Sequence, residues 1–125
     1  MAIVFDPRYR EYFRLFEKGK YFEAHEVLEG LWRQTRGKER EFYHGLIQLA
    51  AALVHFQKGN LKGAKELVRT SSQYLRPYPS RYQGVRIMKA LKDFNRFLEV
   101  WSKHPDNPSI AKGLLPRVTL EKKRP

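Results

Sequence analysis

His25, Glu29 and Trp32 follow one another at intervals of four and three residues within the stretch YFEAHEVLEGLWRQT. A helix advances about 100° per residue, so this spacing gathers an imidazole, a carboxyl group and an indole on one side. With His25 at the origin, Tyr21, Phe22, Leu28 and Trp32 fall within about 60° of it, and Ala24, Val27 and Leu31 widen the apolar arc. Glu23, Glu26, Gly30, Arg33 and Gln34 gather on the opposite side. His25 is therefore expected to face inward, with Glu29 one turn further on among aromatic side chains. Burying a lone carboxylate costs on the order of several kcal/mol, so Glu29 must be paired, protonated or metal-bound.

The segment from Lys38 to Lys58 offers partners. It is apolar nearly all round, except for one stripe made by Glu41, His44, Gln48 and His55, flanked by the small residues Gly45, Ala51 and Ala52. If the two segments form an antiparallel hairpin about Gly37, residues whose numbers sum to about 74 stand level. Glu29 then meets His44 and Gly45, and His25 meets Gln48. Two chemistries fit. In the first, His25, Glu29 and His44 hold a divalent metal such as zinc or manganese, with Gln48 orienting a ligand or water and Trp32 packed alongside. An open coordination position would support metal-assisted hydrolysis, and no catalytic residue is assigned beyond that. In the second, His25, Glu29 and Gln48 form a buried hydrogen-bonded network that fixes helix register. No Ser-His-Asp order, phosphate-cradling glycine loop or HExxH sequence points to another reaction.

Five main helices position these residues. Asp6 followed by Pro7 is an N-cap signal, and Tyr9, Tyr12, Phe13 and Phe16 recur at helical spacing up to Gly19. The second helix runs to Gly37 and the third to Lys58, where Gly59 and Asn60 supply a stop and the next N-cap. The fourth covers about Leu61 to Tyr74, with Leu61, Ala64, Leu67, Val68, Ser71 and Leu75 inward. Arg76-Pro77-Tyr78-Pro79 cannot continue it. A fifth is expected from about Arg81 to Lys103, with Ile87, Leu91, Phe94, Leu98 and Trp101 on one face. No period-two alternation competes, so the fold is read as all-α. A bundle over 1–104 surrounds a central third helix, and a proline-containing extended tail occupies 105–125. Leu114, Leu115, Val118 and Leu120 are expected to dock, and Glu121 to Pro125 to fray.

The chain also resembles itself at an offset of 40. FEKGKYFEAHEVLE (16–29) and FQKGNLKGAKELVR (56–69) share Phe, Lys, Gly, Ala and Glu, the pattern of a helix, a glycine turn and a second helix that begins near a small residue. Tetratricopeptide-like hairpins have this form, but two imperfect copies are too few for a solenoid, and a convergent helical hairpin is favoured over a peptide-binding array.

His25-Glu26-Val27-Leu28-Glu29-Gly30-Leu31-Trp32, taken with Gly45-Leu46-Ile47-Gln48-Leu49-Ala50, Gly59-Asn60 and Gly63-Ala64, resembles a bacterial and archaeal family known as domain of unknown function 309. The similarity spans about Phe13 to Leu75. It implies a compact all-helical fold with a central helix and a metal role for His25 and Glu29. His44 lies outside that pattern, and the family brings no assigned activity with it.

Charge separates the chain into unequal parts. Residues 1–50 hold nine Lys or Arg against eight Asp or Glu, whereas residues 51–125 hold sixteen against five, giving nearly all of the +12 net charge. Lys62, Lys65, Arg69 and Arg76 follow one helical side, and Arg81, Arg86, Lys89 and Lys92 continue the basic run, with Tyr74, Tyr78 and Tyr82 between them. Such a ribbon suits a nucleic acid, through phosphates and stacked bases, or an acidic protein. No sequence-reading motif accompanies it, and a solvated cationic surface is the alternative.

The 125 residues, 42% hydrophobic, fit one folded domain, and the absence of cysteine excludes disulfides and thiolate chemistry. The start MAIVFDPRYR lacks the order of a secretory signal, and the longest nearly apolar run, Gly45 to Phe56, is too short to span a bilayer. A soluble, cytoplasmic protein without a membrane partner is the expectation, with exposed aromatics leaving room for a homo-oligomeric contact.

Overall fold

The computed structural model describes residues 4–121. Six helices follow in order: α1 (Pro7–Glu17), α2 (Tyr21–Gln34), α3 (Lys38–Gln57), α4 (Leu61–Leu75), α5 (Ile87–Lys103) and α6 (Ser109–Lys112). The fold is all-α, as its sequence periodicity implies.

Local chemistry sets the helix starts. The Asp6 carboxylate accepts from the Arg8 amide at 2.8 Å, and Asn60 does the same for the Gly63 amide at 2.9 Å, each satisfying a first-turn donor that the helix leaves free. The two glycine turns are built alike. Gly19 and Gly59 take φ of 77° and 72°, where other residues are strained. In both turns the amide after the glycine reaches back to a helical carbonyl, Lys20 to Leu15 and Asn60 to His55. The matched alanines, Ala24 and Ala64, are both buried. The offset of 40 thus corresponds to two structurally matched hairpins, α1–α2 and α3–α4.

The two hairpins meet along α3. Tyr12 donates from its hydroxyl to the Leu46 carbonyl at 2.6 Å, and Ser71 donates to the Gly45 carbonyl at 2.8 Å. A methyl group on Gly45 would stand 2.5 Å from Cγ of Leu75, so glycine is what allows α3 and α4 to approach so closely. Phe42, Leu46, Leu49 and Leu53 of α3 are fully enclosed, together with Ile87, Phe94, Phe97 and Trp101 of α5. Burial of such side chains contributes on the order of 2 kcal/mol each and is the main term holding the bundle together.

Two elements differ from expectation. α5 begins at Ile87 rather than Arg81, because Arg81–Tyr82 pairs antiparallel with Val85–Arg86 across a two-residue turn. Gln83 (φ 49°) and Gly84 (φ 77°) both take left-handed backbone there, the conformation that a tight hairpin requires. Tyr9 donates to the Gln83 carbonyl at 2.7 Å, a contact 74 residues distant that no local pattern could announce. The tail is not wholly extended, since Ser109–Lys112 forms the short α6. Beyond it Pro116 and Val118 are buried and Leu115 and Leu120 are partly so, whereas Leu114 remains exposed. Glu121, expected to fray, donates its amide to the Gly84 carbonyl at 2.7 Å; the rest of that expectation, 122–125, lies outside the described residues.

Candidate functional site: a polar seam and a basic groove

The buried face of α2 consists of Tyr21, Ala24, Leu28 and Leu31. His25 and Glu29 occupy its edge, with side chains 26% and 31% exposed, rather than the interior expected of them. The correction is one of angle: the helix turns its alanine and leucines to the core, which leaves the flanking arc at the boundary with solvent. Phe22 goes further out, 54% exposed, with its ring stacked beside that of His25 at 6.0 Å.

At this boundary the carboxylate needs no burial to be neutralised. Arg33 donates to Glu29 Oε1 at 2.8 Å, and His25 Nε2 stands 3.6 Å from Oε2. Arg33, assigned to the opposite side on sequence, reaches Glu29 because residues four apart are neighbours on a helix surface. His25 Nδ1 and Trp32 Nε1 are enclosed without a hydrogen-bond partner among the described residues.

His44 does not join this pair. Its ring lies between Trp32 of α2, 5.0 Å away, and Tyr74 of α4, 4.4 Å away. Gln48, expected opposite His25, stands with Nε2 3.4 Å from His44 Nε2, and its Oε1 accepts from the Thr70 hydroxyl at 2.6 Å. Burial lowers the His44 pKa from its ordinary value, with the nearby Glu41 charge opposing that shift. On the far side Arg40 stacks over the Trp32 ring at 4.3 Å and donates to the carbonyls of Trp32 and Thr35.

The resulting seam joins α2, α3 and α4 through Trp32, His44, Gln48, Thr70 and Tyr74. As a metal centre it is short of ligands. No group of three His, Cys, Asp or Glu side chains is placed to hold an ion among the described residues, so His25, Glu29 and His44 do not converge as a ligand set. The carboxylate that would lead such a set already serves an arginine. Thr70 and Arg40 were not among the residues singled out on sequence, since their roles depend on contacts 22 and 8 residues away.

The basic residues Lys62, Lys65, Arg69, Arg76, Arg81, Arg86, Lys89 and Lys92 are all exposed. Arg69 pairs with Glu66 at 2.6 Å, Lys89 with Asp93 at 2.7 Å and Arg81 more loosely with Glu121 at 3.9 Å. The tyrosines between them are already engaged. Tyr78 and Tyr82 pack on Phe42 at 5.5 and 4.9 Å, and Tyr74 covers His44. Tyr82 also donates to Glu39 at 2.6 Å, a bond that pushes its pKa up to about 12. These rings are therefore not free platforms for bases.

Between α4 and α5 runs an open groove of about 610 Å³, with Val68 and Leu98 in its lining, Lys65, Arg69 and Arg76 on the α4 side, and Asn95, Glu99 and Ser102 on the α5 side. No helix among the described residues is long and apolar enough to cross a membrane.

Residues 9–67 match the family model described as "Domain of unknown function (DUF309)", so the resemblance read from the sequence is borne out over that segment, which includes His25, Glu29 and Trp32. A stretch of 56 residues is 46% identical to "Uncharacterized protein YpuF" of Bacillus subtilis (strain 168), covering 44% of this chain and 32% of that protein. Over 70 residues it is 30% identical to an "Uncharacterized protein" of Aquifex aeolicus (strain VF5), covering 55% of this chain and 21% of that one. The chain thus matches a third or less of the length of these relatives.

Proposed function

We propose that this chain is a binding module for an acidic protein partner, engaged through the basic face of α4 and α5. In this reading the His25–Glu29–Arg33 group and the His44–Gln48–Thr70 seam form a polar network that fixes the register of α2, α3 and α4. The observation that carries the reading is the groove between α4 and α5, apolar in part and edged by Lys65, Arg69 and Arg76. Positive potential over that face would speed encounter with an acidic surface. A nucleic acid is less well served, because Tyr74, Tyr78 and Tyr82 are packed against other rings. Metal-assisted hydrolysis would ask for a third ligand beside His25 and Glu29.

The test is a fluorescence anisotropy titration with two labelled probes of matched charge, a poly-glutamate and a single-stranded oligonucleotide, at several salt concentrations. Poly-glutamate should bind, weaken as salt rises, and lose about tenfold when Lys65 and Arg76 are both replaced by Glu. Tighter binding of the oligonucleotide at every salt concentration transfers the face to nucleic acid. Binding of neither probe removes the proposal.

A further inference from the structure

Beyond α6 the chain runs back along α5 and is pinned on both sides of Arg117. Ala111 is fully enclosed, the Leu114 amide donates to its carbonyl at 2.8 Å, and Pro116 and Val118 are buried. Successive side chains of an extended segment point to opposite faces, so burying Pro116 and Val118 turns Arg117 outward. On α5, Lys89, Asp93 and Arg96 recur at intervals of four and three residues and so share one side over about 10 Å of helix. Between that side and the returning segment lies an open pocket of about 380 Å³, with Leu114 and Leu115 also in its lining. At about 100° per residue, this is the flank of α5 away from Asn95, Glu99 and Ser102, so the pocket is separate from the groove between α4 and α5.

The lining sets three cations against one carboxylate. Elsewhere in the fold Arg14, Arg33 and Arg69 each take a glutamate three or four residues before them on their own helix. Asp93 stands three residues before Arg96, but it serves Lys89 at 2.7 Å instead. Glu99, three residues beyond Arg96, lines the other groove and stands 3.4 Å from Lys103. Arg96 and Arg117 are both exposed, and neither is ion-paired among the described residues. Two guanidinium groups from segments far apart in the chain therefore border one pocket without a carboxylate between them. Their mutual repulsion is reduced by water and salt, and an anion held between them turns it into attraction.

From this we infer that the pocket is a binding site for a small organic phosphate, a phosphate monoester with a compact apolar body. Charge selects the phosphate. With Lys89 and Asp93 offsetting each other, the lining keeps two positive charges, and a phosphate monoester carries about 1.5 to 2 negative charges at neutral pH. A single carboxylate would leave one guanidinium uncompensated. The planar fork of arginine also matches phosphate oxygens two at a time. Leu114, 37% exposed, and the half-buried Leu115 give the body of the ligand an apolar wall. A volume of about 380 Å³ suits a ligand of that size. This site lies beyond the acidic-partner reading and uses none of Lys65, Arg69 or Arg76.

The probe is phenyl phosphate, titrated into the full chain by isothermal calorimetry beside benzoate and inorganic phosphate. Phenyl phosphate should bind saturably at one site, with benzoate about tenfold weaker and inorganic phosphate about threefold weaker. Arg96→Gln combined with Arg117→Gln should weaken phenyl phosphate by about tenfold or more. Arg10→Gln combined with Lys58→Gln removes the same charge from exposed positions outside the lining and should leave the affinity within about twofold. Leu114→Asp sets a carboxylate beside the cations while sparing both arginines, and should weaken binding by about tenfold even if the double arginine variant unfolds early in a thermal melt. Absence of saturable binding up to about 10 mM overturns the site. Equal losses in the two charge-matched double variants do so as well, by assigning the binding to a diffuse cationic surface. Benzoate or inorganic phosphate binding as tightly as phenyl phosphate overturns the ligand class.

Discussion

Two helix junctions of the bundle end in different states. Between α2 and α3 the rings of Trp32 and His44 meet at 5.0 Å, Tyr74 of α4 lies 4.4 Å from His44, and Arg40 stands over the indole. Between α4 and α5 a groove remains, with Lys65, Arg69, Gln73, Arg76 and Glu99 among its lining residues. Three residues link α2 to α3, whereas eleven residues that include the Arg81–Tyr82 and Val85–Arg86 strand pair link α4 to α5, so the two helix pairs are placed differently. The connection between two helices and the side chains at their joint together decide whether the joint is structural or available.

The largest effect should come from undoing the closed joint. Trp32→Ala removes the ring that holds His44 on one side and Arg40 on the other, and should lower unfolding free energy by about 3 kcal/mol in urea titration. A loss below about 1 kcal/mol would mean that the seam is not a structural joint, and the contrast with the open groove would fail.

A smaller effect is expected from pH. Burial between Trp32 and Tyr74 keeps the His44 pKa below its ordinary value in the folded state, so the unfolded chain takes up the proton first. Stability contributed by neutral His44 is therefore full above the ordinary histidine value of 6.5 and declines as pH falls from there toward the lowered folded value. The urea midpoint should drop across that window, and His44→Gln should flatten this part of the profile. An unchanged slope in the variant would show that the imidazole is not titrating within the seam.

The smallest effect belongs to the pair at the edge. Glu29→Gln breaks a contact to an arginine that is 71% exposed, and should cost less than about 1 kcal/mol. Elemental analysis of untagged protein should find less than about a tenth of a zinc or manganese ion per chain, with no gain on adding either metal. A stoichiometric ion lost in Glu29→Gln would instead restore a metal role to His25 and Glu29.

Much of the fold was legible along the chain. Ile87, Leu91, Phe94, Leu98 and Trp101 declared the inner face of α5, and all five are buried. Asp6, Gly19, Gly59 and Asn60 marked helix ends through local backbone preferences. The start of α5 was hidden, because Gln83-Gly84 is a modest turn signal whose hairpin is held by Tyr9 and by the tail residue Glu121. The candidate site was legible in part. The spacing of His25, Glu29 and Trp32 correctly placed them on neighbouring arcs of one helix, yet it could not say that the core would take Ala24, Leu28 and Leu31 and leave the motif at the boundary.

What the sequence alone determined is local or periodic: the number and spacing of long helices, the two glycine turns, the repeated hairpin and the concentration of positive charge in its second half. The tertiary structure decided which polar groups meet. His44 goes to Trp32 and Tyr74 and not to Glu29, and Arg33 claims the carboxylate. It also decided that α4 and α5 leave space between them, a property of two helices' relative placement. Periodicity is written in neighbouring residues, whereas a pairing or a void depends on the distances between segments far apart in the chain.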